Sequence, residues 1–385
     1  MSPALVPDEL ETPALLVDLD RMERNLDRGA AYAREHGIAL RPHIKTHKSP
    51  VLALAQLERG AVGLTCATPH EAEVMSEVCD DLLVMYPPVG ARRAARLAEL
   101  ALRVQLTVAL DSDVAAADLS RAAVSAGSTV RVLVELDAGM RRVGVQSPAE
   151  AAALGRRVSQ LPGLAVAGVA FYPGHIRGPV GEHAGPVAAL TELVASTKRA
   201  FAQQGLNAEV VSAGSTPTFW TAHQVDGLNE VRPGTYIFND RTTADIGACA
   251  MVDCALTVLA TVVSTAVPGQ AVIDAGAKAL GREPIRGSAG EGFGCLADDT
   301  VVTVKSMSEE HGILDLSRSD RRLHVGERVR VVPNHVCIVV HLADFVYGLR
   351  KGAVVTSWPV AARGRGQQVL TDPLERAPLR TGLGR

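Results

Sequence analysis

Short runs rich in β-branched residues alternate with longer stretches of helical period between about residues 38 and 240 of this 385-residue chain. A strand followed by a helix, repeated eight times, is the pattern of a (β/α)8 TIM barrel. A doubly wound open sheet would give the same alternation, and the number eight favours the barrel. The predicted barrel strands are 38–43, 62–66, 82–86, 104–110, 130–136, 164–172, 209–213 and 229–238.

The pattern changes after about residue 250, where strand-length runs follow one another with Gly, Pro and charged turns between them. This part predicts a β domain without helices, and it includes the run 336–342 (VCIVVHL) as a strand. A further strand at 13–20 lies outside the count of eight, and we expect it to pair with the β domain. The predicted division is therefore a barrel over 21–248 and a β domain formed by 1–20 with 249–385.

Charge and cysteine content exclude several classes of partner. With 39 basic and 42 acidic side chains the formal net charge is −3, so the chain lacks the excess of basic residues that nucleic-acid binding requires. No uncharged apolar run reaches the ~18 residues that a membrane-spanning helix needs. The first residues are acidic and interrupted by proline, unlike a signal peptide. Six cysteines without framework spacing indicate free thiols, so we expect a cytoplasmic protein. From the charge balance and the short apolar runs we expect neither nucleic-acid nor membrane partners.

The densest polar cluster is the segment 41–48 (RPHIKTHK), directly after the first barrel strand. Barrel enzymes place their chemistry at the C-terminal ends of the strands, so these side chains would lie at the mouth. An exposed basic turn would explain the cluster equally well. A lysine desolvated there among other cations would instead have a lowered pKa and could form a Schiff base with a carbonyl compound.

Other polar segments also follow predicted barrel strands. Arg141 and Arg142 come after the fifth strand, and Tyr172 and His175 come at the end of the sixth, so both segments could line the same mouth. Segments 211–217 (VSAGSTP) and 232–236 (RPGTY) belong to the seventh and eighth strands, where many barrels bind phosphate. Each of these two would be an ordinary tight turn by itself, but their positions together favour an anion site.

His335 and Cys337 form a third candidate site in the β domain. Residues i and i+2 of an extended strand project from the same face, so an imidazole and a thiolate would lie side by side. Such a pair of nitrogen and sulfur donors suits Zn²⁺, and two protein ligands would leave positions for water or substrate. A buried free cysteine beside a hydrogen-bonded histidine is the alternative.

Several motifs resemble one known group of proteins. The segment PHIKTHKSP resembles the cofactor-lysine segment of fold-type III pyridoxal phosphate (PLP) enzymes in the D-threonine aldolase and D-serine dehydratase group, relatives of alanine racemase. The chain is identified as a member of that group from further motifs in the same order, namely ETPALLVDLD, GLTCATPHEAE, ELDAGMRRVGV, VSAGSTPT, EVRPGTYIFND, VIDAGAKAL, SEEHGIL and PNHVCIVVHL. The resemblance implies a PLP-binding (β/α)8 barrel with a C-terminal β domain, the alanine racemase-like fold.

The resemblance also implies roles for individual residues. Lys45 would hold the cofactor covalently, Arg142 would lie near its phenolic oxygen, and Tyr172 would lie beside its ring. His335 and Cys337 would bind a divalent metal. The implied catalytic residues are Lys45, Tyr172 and His175. The implied cofactor-binding residues are Lys45, His43, Arg142, Tyr172, Gly214, Ser215, Thr216, Gly234, Thr235 and Tyr236.

The activity implied by the resemblance is that of a PLP- and metal-dependent lyase acting on a small-molecule D-β-hydroxy amino acid. The aldolase branch usually has an aspartate at the second metal position, so Cys337 favours dehydration, as by D-serine dehydratase, to a keto acid and ammonia. Zn²⁺ is the expected metal, with Mn²⁺ or Mg²⁺ as alternatives. Retro-aldol cleavage to glycine and an aldehyde, as by D-threonine aldolase, is the alternative reaction. A PLP-binding protein without turnover is a further alternative. Relatives form dimers, so we expect a homodimer.

Overall fold

The computed structural model describes residues 9–285, 292–364 and 366. Its first sheet has eight strands, in the order β2-β9-β8-β7-β6-β5-β4-β3, and all seven neighbouring pairs are parallel. These strands are β2 (Ala39–Leu40), β3 (Leu64–Cys66), β4 (Asp81–Val84), β5 (Gln105–Leu110), β6 (Val130–Leu136), β7 (Leu164–Phe171), β8 (Val210–Ala213) and β9 (Glu230–Val231).

The sheet closes on itself between β2 and β3. His43, just after β2, forms a parallel bridge with Thr65 of β3, and the Thr65 N–H donates to the Pro42 carbonyl at 2.9 Å. Each of the eight predicted strands is present, so the predicted barrel is confirmed. The run 229–238 is much shorter as a strand than expected, because Pro233 has no N–H for the ladder and the chain then forms a 3₁₀ turn at Thr235–Ile237.

Helices surround the barrel and bury their apolar sides against it. Three of them begin after a Ser or Thr whose side chain accepts a hydrogen bond from the third helical N–H, at Thr68, Ser112 and Ser147. No helix in the described parts of the chain is long and apolar enough to cross a membrane. The helices of this part are α1 (Leu19–Glu35), α2 (Pro50–Leu57), α3 (Pro69–Met75), α4 (Ala91–Leu100), α5 (Asp113–Ala126), α6 (Pro148–Val158), α7 (Ala184–Gln203) and α8 (Arg241–Asp245).

The second sheet has nine strands, in the order β11-β14-β13-β12-β15-β10-β1-β16-β17. The first strand of the chain belongs to it, because β1 pairs antiparallel with β10 and parallel with β16. The domain boundaries given above stay a prediction, and their ends at 1–8 and 367–385 lie outside the described residues. The strands are β1 (Ala14–Asp18), β10 (Leu256–Ser264), β11 (Gln270–Ile273), β12 (Gly294–Leu296), β13 (Thr303–Met307), β14 (Gly312–Asp315), β15 (Arg328–Pro333), β16 (Phe345–Arg350) and β17 (Ala353–Pro359).

The prediction that the β domain has no helix is wrong. Helix α9 spans Ala277–Leu280, and helix α10 spans Val336–Leu342, the run that was predicted as a strand. A short apolar run has no decisive period, and its β-branched residues favoured a strand. In the structure Val336, Val339 and Val340 are all buried, and this i, i+3, i+4 spacing packs one side of a helix into the core.

Candidate active site

Lys45 lies in a single 3₁₀ turn, Ile44–Thr46, directly after β2. Ile44 is fully buried and anchors this turn, and the Lys48 N–H donates to the Ile44 carbonyl at 2.7 Å. The Lys45 side chain is half-buried, and its Nζ lies 5.7 Å from the centre of the Tyr172 ring. Because Tyr172 follows β7, the amine is at the C-terminal end of the barrel and not in bulk solvent.

The residues around Lys45 do not form an exposed basic turn. His47 and Lys48 are buried, and the Lys48 ammonium is paired with the buried carboxylate of Glu71. Burial lowers the pKa of His47 to about 4. Burial and the positive charge of Lys45 also hold the pKa of His43 well below its usual range. The segment is therefore packed against its neighbours, its Lys48 charge is balanced by Glu71, and both histidines are neutral at pH 7.

Tyr172 lies between two cations. Lys45 is near its ring, and the Arg142 guanidinium carbon lies 5.0 Å from the ring centre. A Cβ at Gly174 would come within 2.0 Å of Tyr172 Cε1, so the ring packs against bare backbone. His175 is exposed, and its ring lies against Gly139. The structure thus brings Arg142, Tyr172 and His175 to the same rim.

The loops after β8 and β9 meet each other and the Lys45 turn. The Tyr236 N–H donates to Thr216 Oγ1 at 3.1 Å, which joins the two loops. Gly214 has a φ of +103°, a backbone conformation that favours glycine. A Cβ at Gly234 would lie 2.7 Å from Thr46 Oγ1, so only glycine allows this approach to the lysine turn. Ser215 and Thr235 are buried in the same two loops.

Tyr236 contributes its backbone to this region, but its ring is in the core. The side chain is 2 % exposed, and its hydroxyl accepts a hydrogen bond from Gln56 Nε2 at 3.1 Å. Burial raises the pKa of this hydroxyl. Tyr236 therefore contributes only its backbone N–H to the two loops after β8 and β9, which we call the anion loops.

Arg232, the first residue of the segment predicted to form half of the anion site, is a buried cation. It is 4 % exposed and donates to Ser212 Oγ at 2.5 Å and to the Phe171 carbonyl at 3.0 Å. Burial lowers the pKa of this guanidinium to about 10. Ser212 in turn donates to Glu230 at 2.5 Å. The spacing of Glu230 and Arg232 was an available signal, because alternate strand residues point to the same face.

His335 and Cys337 are brought together, although not by a strand. His335 immediately precedes α10, and Cys337 is in its first turn, so the predicted strand geometry is wrong. Their side chains nevertheless interact, because the charge of His335 favours the thiolate of Cys337. Cys337 Sγ also lies 3.2 Å from Thr46 Oγ1 and is therefore next to the lysine turn. The His335 Nδ1–H donates to Asp240 Oδ2 at 3.0 Å.

The donor chemistry of this pair fits a metal ion. Because the Nδ1–H of His335 donates its hydrogen bond to Asp240, the Nε2 atom is left as the ligand, which is the usual arrangement at metal-binding histidines. Burial alone would raise the pKa of Cys337, but His335 and Lys45 outweigh it and leave the pKa below its ordinary value. In the described residues no group of three His, Cys, Asp or Glu side chains could hold a metal. The pair would therefore bind metal with two protein ligands.

Comparisons with known proteins agree with this architecture. Residues 17–242 match the family described as "Alanine racemase, N-terminal domain", and residues 255–349 match the "Putative serine dehydratase domain". The chain belongs to the alanine racemase N-terminal domain family, whose model matches more than half of it. It is similar to D-threonine aldolase of Arthrobacter sp., with 31 % identity over 92 % of this chain and 93 % of that protein.

Two further relatives belong to the same group of enzymes. D-threo-3-hydroxyaspartate dehydratase of Delftia sp. is 35 % identical, over 85 % of this chain and 91 % of that protein. The crystal structure of D-threonine aldolase from Filomicrobium marinum superimposes with a TM-score of 0.87 and 35 % identity, over 94 % of this chain and 98 % of that one. The fold and the resemblance inferred from sequence are thereby confirmed.

The chain is an enzyme of the D-threonine aldolase and hydroxyaspartate dehydratase group of lyases. This confirms the predicted class of enzyme. The relatives give more support to the aldolase alternative than to the expected D-serine dehydratase activity. The roles of the individual site residues stay predictions.

Proposed function

We propose that this enzyme uses PLP and a divalent metal to cleave the Cα–Cβ bond of a D-β-hydroxy amino acid, in the manner of a D-threonine aldolase. One observation supports this above all others. The turn that carries Lys45 touches the candidate metal pair, since Thr46 Oγ1 lies 3.2 Å from Cys337 Sγ. A covalent cofactor on Lys45 and a metal on His335 and Cys337 would therefore act on the same small molecule.

The loops described above fit the cofactor. Lys45 would bind the PLP aldehyde, and Tyr172 and His43 would flank the ring. The anion loops would hold the phosphate through backbone N–H groups and hydroxyls, which are the donors that anions require. When bound, PLP supplies an electron sink for charge developing at Cα. The loop residues involved are Gly214, Ser215, Thr216, Gly234, Thr235 and the N–H of Tyr236.

The metal would polarise the β-hydroxyl of the substrate as a Lewis acid. Zn²⁺ suits the imidazole and thiolate donors best, whereas Mg²⁺ and Mn²⁺ prefer oxygen ligands. Only two protein ligands are present, so a chelator should remove the ion. Asp240 fixes the His335 ring and thereby the direction of its Nε2 atom.

Proton transfer and substrate binding would be carried out by side chains at the mouth of the barrel. Lys45 Nζ lies 5.7 Å from the centre of the Tyr172 ring and would deliver the proton that Cα gains when the Cα–Cβ bond breaks, whereas in dehydration it would remove the Cα proton. Tyr172 limits the space around that amine. Of the exposed groups at the rim, Arg142 would lie near the phenolic oxygen of the cofactor, and His175 would bind the substrate carboxylate through a hydrogen bond.

Dehydration to a keto acid and ammonia is the second candidate reaction, and the identity of Cys337 favours it. Solved structures of D-threo-3-hydroxyaspartate dehydratase include a histidine-to-alanine variant and, two residues further on, a cysteine-to-alanine variant in its metal-free form. His335 and Cys337 have the same types and spacing. In this reaction the same metal would assist the departure of the hydroxyl instead of holding it during carbon–carbon cleavage.

Product identification separates these possibilities. The purified enzyme, loaded with PLP and Zn²⁺, is incubated with D-threonine, D-serine and D-threo-3-hydroxyaspartate, with and without a chelator. Glycine with an aldehyde supports the proposal, and a keto acid with ammonia supports the second candidate. A PLP-loaded chain without any product would favour the non-catalytic alternative. Lys45→Ala serves as the control without covalent cofactor.

Two further expectations from the sequence stay proposals. A homodimer is expected from the resemblance, and sedimentation equilibrium would measure its mass directly. A cytoplasmic location is expected from the free thiols and would be tested by fractionating cells that produce the enzyme. A fully active monomer would contradict the first of these expectations.

A further inference from the structure

Glu135 is a buried carboxylate to which the proposed reaction gives no role. It lies near the C-terminal end of β6, and its side chain is 3 % exposed. It lines a small cavity together with Asp137, Arg142 and Tyr172. The carboxylate therefore faces the mouth of the barrel from within, just beneath the rim.

Glu135 differs from the other buried glutamates of the described chain. Glu71 is paired with Lys48, and Glu230 accepts from Arg41 Nε at 2.7 Å. Over residues 9–285 and 292–364 the Glu135 carboxylate has neither a hydrogen bond nor an ion pair. Its oxygens are not among the fully buried polar atoms of the described chain that lack a partner, so they face the cavity, and a carboxylate that faces a cavity without a salt bridge is a candidate functional group.

The groups nearest to Glu135 suggest what that function is. Burial raises the pKa of Glu135, and the positive charges of Arg232 and Arg142 offset part of this effect. Arg142 is exposed and lies over the Tyr172 ring, with its guanidinium carbon 5.0 Å from the ring centre. The Asp137 carboxylate is already engaged, because it accepts from backbone N–H groups of its own turn. Glu135 thus attracts two cations: Arg232, which is already held by Ser212 and the Phe171 carbonyl, and the exposed Arg142, which lines the same cavity.

We propose that Glu135 is a positioning residue that holds the Arg142 guanidinium over Tyr172 at the mouth of the barrel. This inference rests on the proposed function, since it assumes that Arg142 meets an anionic oxygen of the cofactor or substrate. Arg142 has a long, flexible side chain, and the attraction of a buried carboxylate restricts where its charge can lie. Without that attraction the Arg142 side chain would turn into solvent, and the cofactor or substrate would lose its interaction with the guanidinium.

The test begins with Glu135→Gln, which keeps the volume of the side chain and removes its charge. The matched control is Glu192→Gln, on the exposed surface of α7. We expect kcat/KM to fall about 10- to 100-fold in Glu135→Gln, the usual effect of losing a group that orients a ligand-binding side chain, and to be unchanged in the control. The melting temperature of Glu135→Gln should stay close to that of the wild type, because the Glu135 carboxylate forms no salt bridge or hydrogen bond within the described residues that the substitution would break.

A double variant tests whether Glu135 acts through Arg142. If it does, adding Glu135→Gln to Arg142→Ala should cause little further loss of kcat/KM. Losses that multiply would overturn the proposal, and so would a Glu135→Gln variant with wild-type kcat/KM. A lower melting temperature with unchanged kcat/KM would show a purely structural role.

Failure of the proposed function would look different. Borohydride reduction that fixes no PLP in the wild-type chain would overturn both proposals. If PLP is fixed without turnover, the Kd for D-threonine, followed by cofactor absorbance, replaces kcat/KM as the readout. An equal Kd in wild type and Glu135→Gln would then overturn the role of Glu135 alone.

Discussion

The buried ion pair between Lys48 and Glu71 offers a direct test of how the lysine turn is held. Lys48 is 8 % exposed and Glu71 is 1 % exposed, and the Glu71 carboxylate also accepts from the Ala67 N–H at 2.6 Å. Lys48→Met would leave the Glu71 charge buried without its counterion. Removing one partner of such a pair destabilises a protein by about 3–5 kcal/mol. We expect a loss of that size in the free energy of unfolding.

The double variant Lys48→Met/Glu71→Gln should recover much of this loss. Both charges are then gone, and the Gln carbonyl can still accept from Ala67. The exposed pair formed by Arg157 and Asp113 serves as control, and Arg157→Met should cost no more than about 1 kcal/mol. Guanidinium titrations followed by circular dichroism would measure the wild type, Lys48→Met, Glu71→Gln, their double variant and Arg157→Met. A cost below about 1 kcal/mol for Lys48→Met, or losses that add in the double variant, would refute the argument.

Three further predictions concern the site. Gly234→Ala would place a Cβ 2.7 Å from Thr46 Oγ1, and the resulting steric strain should cost about 1–3 kcal/mol. We therefore expect weaker PLP binding in a titration of this variant. Gly185→Ala is the control, because no atom of the described chain outside its own stretch of helix lies within 4 Å of the added Cβ. Cys337→Ala should lower turnover at least tenfold while PLP absorbance is retained; full turnover would discard the metal site. Burial lowers the pKa of His47 from 6.5 to about 4, so on acidification the unfolded chain binds the proton before the folded chain does. The free energy of unfolding should therefore fall by about 3 kcal/mol between pH 6.5 and pH 4. His47→Gln should reduce this fall, as measured by unfolding midpoints across that pH range.

Much of the fold followed from local patterns, because a strand buried in a parallel sheet is a compact β-branched run between helical stretches. The barrel strands Val130–Leu136 and Leu164–Phe171 match their predicted bounds almost residue for residue. Helix α10 could not be predicted in this way. Its seven residues are apolar and mostly β-branched, and only packing against the core decides that Val336, Val339 and Val340 lie on one side of a helix.

The site was predictable where one segment carries its own chemistry. The basic segment with Lys45 at a strand end indicated the mouth of the barrel before any fold was known. Asp240 and Glu135 could not be found in the same way. Asp240 matters because it accepts from His335, which is 95 residues away in sequence. Glu135 matters because it lacks a partner in a place where only the folded barrel shows what surrounds it.

The central claim is that the amine of Lys45 holds PLP at the mouth of the barrel. The most direct test is to reduce the PLP-treated enzyme with borohydride and to map the modified peptide by mass spectrometry. We predict stoichiometric labelling of Lys45, no label on the buried, ion-paired Lys48, and no visible cofactor absorbance in Lys45→Ala. Label on a different lysine, or an unlabelled chain after reduction, would contradict the account.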